Sequence, residues 1–322
     1  MSSRTDTREP PGYLTQTPGV ARANEAYTRL KRRLVFSVVV VPLLGSVAAL
    51  ALAWRYGVGP VEVGLLIVMY LLTILGISVG FHRHFTHRSF QTSRALRVVL
   101  IILGSMAVQG PILTWAAVHR RHHQYSDQLG DPHSPYLMPE GEPTGGGWRG
   151  FWHSHVGWLF APEVTDWGRY VPDLMRDKTI FKLDRLYFLW LAAGFVVPAL
   201  VGGLWHRTWL GALNGFLWGG MLRLFLVHHA SWTIGSVCHI YGGRPFDTKD
   251  GSTNNAWLAL VTVGDSWHNN HHAFPASAMH GLRWWEFDLA GWVIRTLAAL
   301  GLVWNVERPT PQAIRTKLRR RS

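Results

Sequence analysis

Residues 63–87 read VGLLIVMYLLTILGISVGFHRHFTH, and this stretch decides the fold class. Its first nineteen residues, 63–81, contain no charge and no histidine. A helix of that length can cross about 30 Å of hydrocarbon. The six residues that follow contain three histidines, which are common metal ligands. The stretch therefore predicts a transmembrane helix that ends at a cluster of histidines.

Three further segments predict transmembrane helices. Residues 34–54 and 186–205 are uncharged, whereas residues 208–227 contain Arg223 near one end. Each segment is close to the 20 or so residues that a span needs. Charged residues make up only 16% of the chain, compared with about a quarter in a typical soluble protein. We therefore expect an all-α integral membrane protein with four transmembrane helices in two hairpins.

The basic residues predict how the chain is oriented in the membrane. The net charge is +13, and arginine and lysine concentrate at both ends of the chain and between the apolar segments. Cytoplasmic loops carry an excess of these residues, so both ends and the large middle region are expected in the cytoplasm. Because the basic residues flank membrane spans, we expect membrane lipid as a partner and no nucleic acid. Residues 1–25 are polar and lack a signal peptide, which predicts a flexible tail before one domain at 26–322.

Two other apolar runs are not expected to cross the membrane. Residues 98–115 are uncharged, but a crossing there would put His87 and His119 on opposite sides of the bilayer. If these histidines share a metal site, the run must be buried within the cytoplasmic part or dip into the membrane. Residues 289–304 are short and interrupted by Arg295, so they are expected to lie along the membrane interface.

The histidines form three clusters with metal-ligand spacing. Histidines at positions i, i+3 and i+4 fall on one face of a helix, so the second and third clusters can each direct three imidazoles to one point. The first pair is five residues apart and would diverge by roughly 140° on a regular α-helix, so it converges only where the helix ends or distorts. Eight imidazoles exceed what one ion can bind, which predicts two metal ions in a helical cap on the membrane helices. The eight are His82, His87, His119, His122, His123, His268, His271 and His272.

The single cysteine, Cys238, excludes a disulfide within the chain and cysteine-ligated metal clusters. Any electrons that this protein uses must therefore come from outside the chain. Three aspartates, Asp127, Asp131 and Asp265, and the histidine His155 are candidates to orient the metal ligands through hydrogen bonds. His133 and His153 are weaker candidates for the same role, and His206 and His280 are expected to be peripheral.

The three clusters and their surroundings resemble the membrane fatty-acyl desaturases, a family that includes stearoyl-CoA desaturase, and its bacterial branch more than its animal branch. The likeness extends from about residue 30 to residue 310. Besides the clusters, it rests on Gly80, Asp131-Pro132-His133, Ser154-His155-Val156-Gly157-Trp158, Arg244-Pro245-Phe246-Asp247 and His271-His272-Ala273-Phe274-Pro275.

The resemblance implies an O2-dependent enzyme of the bacterial cell membrane that inserts a cis double bond into a long fatty-acyl chain. It implies nine histidine ligands to two iron ions, the ninth being His239, with an active site on the cytoplasmic side. Family members commonly have an Asn four residues before this histidine, which reaches one metal through water; here that position is Gly235. A ferredoxin or a cytochrome b5-like protein is the implied electron donor. Zinc can replace iron during purification, since both accept imidazole.

The resemblance also implies a substrate tunnel, lined here by Gln109, Trp115, Ser231 and Trp232. Animal family members contact coenzyme A through Asn, Arg and Asp near the second cluster. The corresponding positions hold Gly110, Ala117 and Val118. Acyl-CoA is the first expectation for the substrate, and an acyl-lipid or a carrier-protein thioester stays open.

Two other functions compete with desaturation. The first is hydroxylation of an alkane or a lipid on the same di-iron scaffold, which product mass distinguishes from desaturation. The second is metal transport, which needs polar or ionisable residues across the bilayer midplane. The runs 34–54, 63–81 and 186–205 contain no charge and no histidine, which argues against transport.

Overall fold

The structure is a computed structural model that describes residues 17–138 and 141–319. Within these residues, four helices are long and apolar enough to cross a membrane: Glu25–Tyr56, Pro60–Thr86, Tyr187–His206 and Trp209–Ile240. Short connections, 57–59 and 207–208, join the first span to the second and the third to the fourth. The structure confirms the prediction of a mostly helical fold with four candidate spans.

The elements below are numbered along the chain. The α-helices of the described residues are α1 (Glu25–Tyr56), α2 (Pro60–Leu75), α3 (Arg94–Ser105), α4 (Ile112–Tyr125), α5 (Trp148–His155), α6 (Trp167–Tyr170), α7 (Pro172–Met175), α8 (Lys178–Arg185), α9 (Tyr187–His206), α10 (Trp209–Gly215), α11 (Arg223–Gly235), α12 (Val237–Ile240), α13 (His268–Ala273), α14 (Leu289–Ala299) and α15 (Pro311–Lys317). Two π-helices, Gly76–Thr86 and Phe216–Leu222, lie inside the second and fourth spans. The strands are β1 (Val20–Arg22), β2 (Gln91–Thr92), β3 (Glu163–Thr165) and β4 (Val303–Trp304).

The fourth span lies at the centre of the membrane helices. Its π-helix packs against α1, α2 and α9. Glycines allow the third and fourth spans to approach closely, since a Cβ on Gly202 would lie only 2.3 Å from the carbonyl oxygen of Gly211. Small residues serve this purpose at helix contacts in lipid. The first and third spans, in contrast, expose large apolar side chains such as Leu44 and Leu204, as lipid-facing helices do.

The apolar run at 98–115 is split into α3 and α4 by a break at 106–111. A break frees backbone carbonyls that need donors. Buried Arg223 of the fourth span donates to the carbonyl of Met106 at 2.8 Å, and His228 Nε2 donates to the carbonyl of Ala107 at 2.9 Å. The prediction that this run is not a transmembrane helix is confirmed.

The other short apolar run also falls short of a span. Helix α14 has only 11 residues, and its buried residues Ala290 and Ile294 belong to the main hydrophobic core. The helix packs against the π-helix of the second span. The run ends in β4, which pairs with β2. Helix α14 and the β2–β4 pair therefore pack next to the segment that contains the first histidine cluster.

The prediction of a flexible tail at residues 1–25 is wrong for the strand β1. This strand pairs antiparallel with β3, and Thr17 just before it is buried. Tyr170 also donates a hydrogen bond to the carbonyl of Pro18 at 2.8 Å. The order comes from partners more than 140 residues away, which local composition does not reveal. Residues 1–16 of the predicted tail lie outside the described residues.

Candidate metal centre

A π-helix brings the first histidine pair, His82 and His87, onto one face although the two residues are five apart. The amide of His87 donates to the carbonyl of His82 at 3.1 Å, which is a hydrogen bond between residues five apart. In a π-helix such residues are about one turn apart and therefore lie on one face. The two ring centroids are 5.0 Å apart. The helix distortion that the sequence required is thus present at the end of the second span.

Nine histidines converge in two groups, and within each group the facing nitrogens all lie within 4.8 Å of one another. The five-histidine cluster contains His82, His87, His119, His123 and His271. The four-histidine cluster contains His122, His239, His268 and His272. These are the nine histidines singled out from the sequence.

Helices α4 and α13 each contribute to both clusters. On α4, the i,i+4 pair His119 and His123 points to the five-histidine cluster, whereas His122 points to the other. Residues four apart diverge by only about 40° around a helix, but adjacent residues diverge by about 100°. The expectation that each H-x-x-H-H segment directs all three imidazoles to one point is therefore wrong. The two helices lie between the clusters and hold them together.

The spacing of the nitrogens fits bound metal ions. A neutral imidazole nitrogen carries either one hydrogen or one lone pair, so His119 Nε2 cannot form full hydrogen bonds with two other ring nitrogens. Two nitrogens that bind one ion at about 2 Å in adjacent positions lie about 3 Å apart. The observed Nε2–Nε2 distances are 3.0 Å for His87–His119 and His119–His123, 2.9 Å for His123–His271, 3.1 Å for His82–His271 and 3.0 Å for His239–His268.

Carboxylates orient three members of the four-histidine cluster. An Nδ1–H that donates to a carboxylate fixes the tautomer and leaves Nε2 with a lone pair for a metal. Within the described residues, the buried Nε2 atoms of His122 and His272 have no hydrogen-bond partner. The three Nδ1–carboxylate distances are 2.9 Å for His122–Asp131, 2.8 Å for His239–Asp127 and 2.7 Å for His272–Asp250.

Asp127 and Asp131 were predicted to orient ligand histidines, and each accepts a hydrogen bond from Nδ1 of a candidate ligand. The same contact of Asp250 was not predicted from the sequence. Although burial opposes ionisation, the hydrogen bond with His122 holds the pKa of Asp131 below its ordinary value. Asp250 precedes His272 by 22 residues and lies in a loop. The loop follows the Arg244-Pro245-Phe246-Asp247 segment, which was the only signal near it in the sequence.

Asp265 supports the five-histidine cluster less directly. One of its oxygens accepts hydrogen bonds from Arg83 and Ser78, both at 2.8 Å. The other lies 3.5 Å from Nδ1 of His82. Arg83 is fully buried and also pairs with Asp288 at 2.8 Å. Burial raises the pKa of Asp265, but the charge of Arg83 outweighs it and keeps the pKa well below the ordinary range.

His280 was expected to be peripheral and is not. It is buried, its ring centroid lies 4.5 Å from that of His271, and its Nδ1 lies 3.1 Å from Asp265. Burial lowers the pKa of His280 to about 4. It is therefore a neutral imidazole packed against the five-histidine cluster. Nothing in its sequence spacing set it apart from other histidines.

Burial favours the neutral form of several candidate ligands, which is the form that binds a metal. The pKa values of five histidines on α4 and α13 fall well below the ordinary value because burial penalises the imidazolium, and neighbouring histidines add to the effect. This holds for His119, His123, His268, His271 and His272.

The predicted tunnel residues lie together beside the five-histidine cluster. Gln109 donates to Ser231 Oγ at 2.7 Å, and Trp115 Nε1 donates to the side-chain oxygen of Gln109 at 3.3 Å. The Trp115 ring stacks on His119, with centroids 5.0 Å apart. Trp232 follows Ser231 on α11 and is buried. Whether these side chains line a tunnel stays a prediction.

His155 was expected to orient a metal ligand, but its hydrogen bonds lead elsewhere. Its Nδ1 lies 2.9 Å from Ser236 Oγ, and its Nε2 lies 3.0 Å from Nδ1 of His229. Its ring also packs edge-on against Trp232. These contacts place His155 beside the predicted tunnel residues.

Several known proteins are similar in sequence to this chain over most of its length. A Hex-5-enoyl-[acyl-carrier protein] acetylenase of Moorena producens is 50% identical over 278 residues, which cover 86% of this chain and 87% of that protein. An sn-1 stearoyl-lipid 9-desaturase of Anabaena variabilis is 38% identical, with 76% of this chain and 84% of that protein covered. An icosanoyl-CoA 5-desaturase of Limnanthes douglasii is 39% identical, with 77% of this chain and 65% of that protein covered.

The sequence profile of one family, described as "Fatty acid desaturase", matches residues 59–307. This range includes all nine clustered histidines and three of the four candidate spans. The chain belongs to the membrane fatty acid desaturase family.

Proposed function

We propose that this protein removes two hydrogens from adjacent methylenes of a long fatty-acyl chain, with two iron ions held by the five- and four-histidine clusters. The observation that carries the proposal is the convergence of nine imidazoles in two groups with Nε2 atoms about 3 Å apart. O2 is the co-substrate, and it leaves as water.

Iron and zinc both accept imidazole ligands, and the reaction to be catalysed distinguishes between them. An unactivated C–H bond is beyond side-chain acid–base catalysis, so bound iron would supply the activation of O2. Zinc has no redox chemistry and would occupy the same nitrogens without turnover. The contribution of the chain is to bury the histidines and to orient His239, His122 and His272 through Asp127, Asp131 and Asp250.

Placement of the acyl chain is the second task of the protein. Selectivity for one bond requires the substrate to be held within reach of the reactive centre. The hydrogen-bonded group Ser231, Gln109 and Trp115 ends with a ring stacked on His119. We propose that this group forms the wall along which the acyl chain approaches the five-histidine cluster.

We propose an acyl thioester on a carrier protein as the substrate, ahead of acyl-CoA. The relative with 50% identity is named for an acyl-carrier protein substrate, whereas the others quoted are named for acyl-lipid and acyl-CoA. The residues at the coenzyme A positions, Gly110, Ala117 and Val118, carry no charge or polar side chain, which also weakens the case for acyl-CoA.

We propose that the electrons come from another protein, since the one cysteine of the chain cannot form an iron–sulfur cluster. A net charge of +13 suits an acidic donor of the ferredoxin or cytochrome b5-like type, through electrostatic complementarity. From the positive-inside tendency, we place both ends of the chain, the large middle region and the metal centre on the cytoplasmic side of a bacterial membrane.

The test compares products and substrates. Cells that express the protein are compared with cells that express His271→Ala, by mass spectrometry of their fatty-acid methyl esters. The purified protein is then supplied with reductant, O2 and one of three substrates: acyl-carrier protein, acyl-CoA or acyl-lipid. Loss of two hydrogens from a saturated chain supports desaturation, and gain of one oxygen would show a hydroxylase instead.

A second dehydrogenation is the alternative reaction that the same relative suggests, because it is named as an acetylenase of an enoyl substrate. Saturated and terminally unsaturated acyl chains should be compared in the same assay. A chain that loses hydrogens only when it already contains a double bond would identify the protein as an acetylenase.

A further inference from the structure

The four-histidine cluster has one imidazole fewer than its neighbour, and another histidine lies against it. The ring of His133 stacks on that of His122, with centroids 4.3 Å apart and planes inclined by 25°. On another side it meets Trp158, at 5.2 Å. The ring is thus held in a defined orientation between two aromatic neighbours.

The Nδ1 atom of His133 is buried and has no hydrogen-bond partner among the described residues. Asp131, which holds His122 at 2.9 Å, also accepts a hydrogen bond from the backbone amide of His133 at 3.1 Å. One carboxylate therefore orients the His122 imidazole and holds the backbone of His133. Buried polar atoms are nearly always satisfied, so Nδ1 is expected to meet a water molecule or an ion.

The absence of a side chain at residue 235 makes room for this ring. Gly235 is the last residue of α11 and precedes His239 of the cluster by four positions. A Cβ there would lie 3.1 Å from His133 Nδ1 and 3.4 Å from Cε1. That spacing is too tight for a side chain unless the imidazole moves. His133 thus occupies the space into which a side chain at residue 235 would point.

We propose that His133 Nδ1 holds a water ligand of the metal ion in the four-histidine cluster, in the space left open by Gly235. The inference rests on the proposed di-iron function, since it concerns a ligand position of one of the two ions. Nδ1 accepts a hydrogen from the water, whose oxygen faces the cluster. His133 stacks on His122, which is a member of the four-histidine cluster, and this contact places the His133 ring beside that cluster.

The first test compares His133→Phe with His133→Asn in the full-length protein loaded with Co²⁺. Phe keeps an aromatic ring between His122 and Trp158 but removes the nitrogen, whereas Asn keeps a polar atom. We expect His133→Phe to release one of its two Co²⁺ ions to a competing chelator about 10-fold more readily than the wild type, with a changed visible absorption spectrum. We expect His133→Asn to lie between the two. Equal retention and an unchanged spectrum in His133→Phe would overturn the proposal.

The second test exchanges the two positions. Gly235→Asn alone should weaken binding of the same ion, because it forces His133 to move. Gly235→Asn combined with His133→Ala should recover most of it, since the amide then takes the place of the imidazole. A double variant no better than the sum of the single variants would contradict this exchange.

The wild type separates this inference from the proposed function. If the wild type holds two ions tightly but forms no unsaturated product, the desaturase function is refuted. The role of His133 is then decided by the comparison of ion release to the chelator in His133→Phe and the wild type. Fewer than two ions in the wild type would refute both.

Discussion

Asp250 Oδ2 accepts a hydrogen bond from Nδ1 of His272 at 2.7 Å. The carboxylate is itself held in place, because its other oxygen accepts hydrogen bonds from Thr248 Oγ1 and from the amide of Ser252, both at 3.0 Å. These contacts also keep the pKa of Asp250 below its ordinary value, against the effect of burial. A surface loop thereby fixes the direction in which a cluster imidazole presents its free nitrogen.

Asp250→Ala is expected to lower metal affinity at the four-histidine cluster by about 10- to 100-fold, because His272 loses the acceptor that selects its tautomer. Metal content after dialysis against a chelator measures the effect. Asp247→Ala, in the same loop and exposed, is the matched control and should retain its metal. Equal metal loss in both variants would show that the loop, and not the carboxylate, matters.

Single histidine substitutions should distinguish the two clusters. His122→Ala removes a ligand candidate from the four-histidine cluster and His271→Ala one from the five-histidine cluster, so each should lower the bound iron from two ions towards one and abolish turnover. Iron-to-protein ratios by elemental mass spectrometry check this. His206→Gln is the control, since Gln can still donate to Glu62, which His206 contacts at 2.9 Å far from the clusters. Two bound irons and full activity in His122→Ala would contradict the assignment.

The sequence predicted the four spans and eight of the nine clustered histidines because both depend on local patterns, whereas His239 was predicted only from the family resemblance. The length of an uncharged run predicts a membrane helix, and the i,i+4 spacing of His119 and His123 predicts that both lie on one face of a helix. The division of the histidines between two clusters was missed, since it depends on where α4 and α13 lie relative to each other. His280 was missed for the same reason, because its burial comes from residues distant in sequence.

Arg223 illustrates a residue whose role the sequence obscures. In a span it suggested only a weaker transmembrane helix, but its guanidinium donates to three carbonyls, those of Met106, Gly194 and Gly219. Arg223→Met leaves these acceptors without their donor, at about 1–3 kcal/mol each. We expect an unfolding temperature lower by roughly 5 °C or more, measured in detergent.

The exposed residue Arg207, in the connection between the third and fourth spans, provides the control for this substitution. Arg207→Met removes the same charge and should leave the unfolding temperature within about 1 °C of the wild type. Similar destabilisation by both variants would indicate that charge near the membrane, and not the contact with the break at 106–111, accounts for the effect.

Two truncations should separate the strand β1 from the residues before it. Removal of residues 1–22 deletes β1 and unpairs β3, whose Glu163 forms an ion pair with buried Arg121 at 3.0 Å. Because Arg121 directly precedes His122, this truncation should lower both thermal stability and metal content. Removal of residues 1–16 is the comparison and should have a smaller effect. Equal stability of the two truncated proteins would show that the strand pairing contributes little.

Ser231 should influence which carbon–carbon bond is oxidised. Its hydroxyl accepts a hydrogen bond from Gln109 at 2.7 Å, and Gln109 in turn accepts one from Trp115, whose ring stacks on His119. Ser231→Ala leaves the Gln109 amide without its acceptor, so Gln109 and Trp115 can shift relative to the five-histidine cluster. If they form the wall of the acyl path, the register of the chain changes with them.

We therefore expect Ser231→Ala to redistribute double-bond positions in the product while iron content stays at the wild-type level. Product chains are compared by mass spectrometry after chemical derivatisation of the double bond. Thr233→Ala is the matched control, because Thr233 lies on the same helix and its hydroxyl donates to the carbonyl of Ala230 within that helix, at 2.6 Å. An unchanged product pattern in Ser231→Ala would remove this residue from the substrate path, and the same change in Thr233→Ala would point to the helix as a whole.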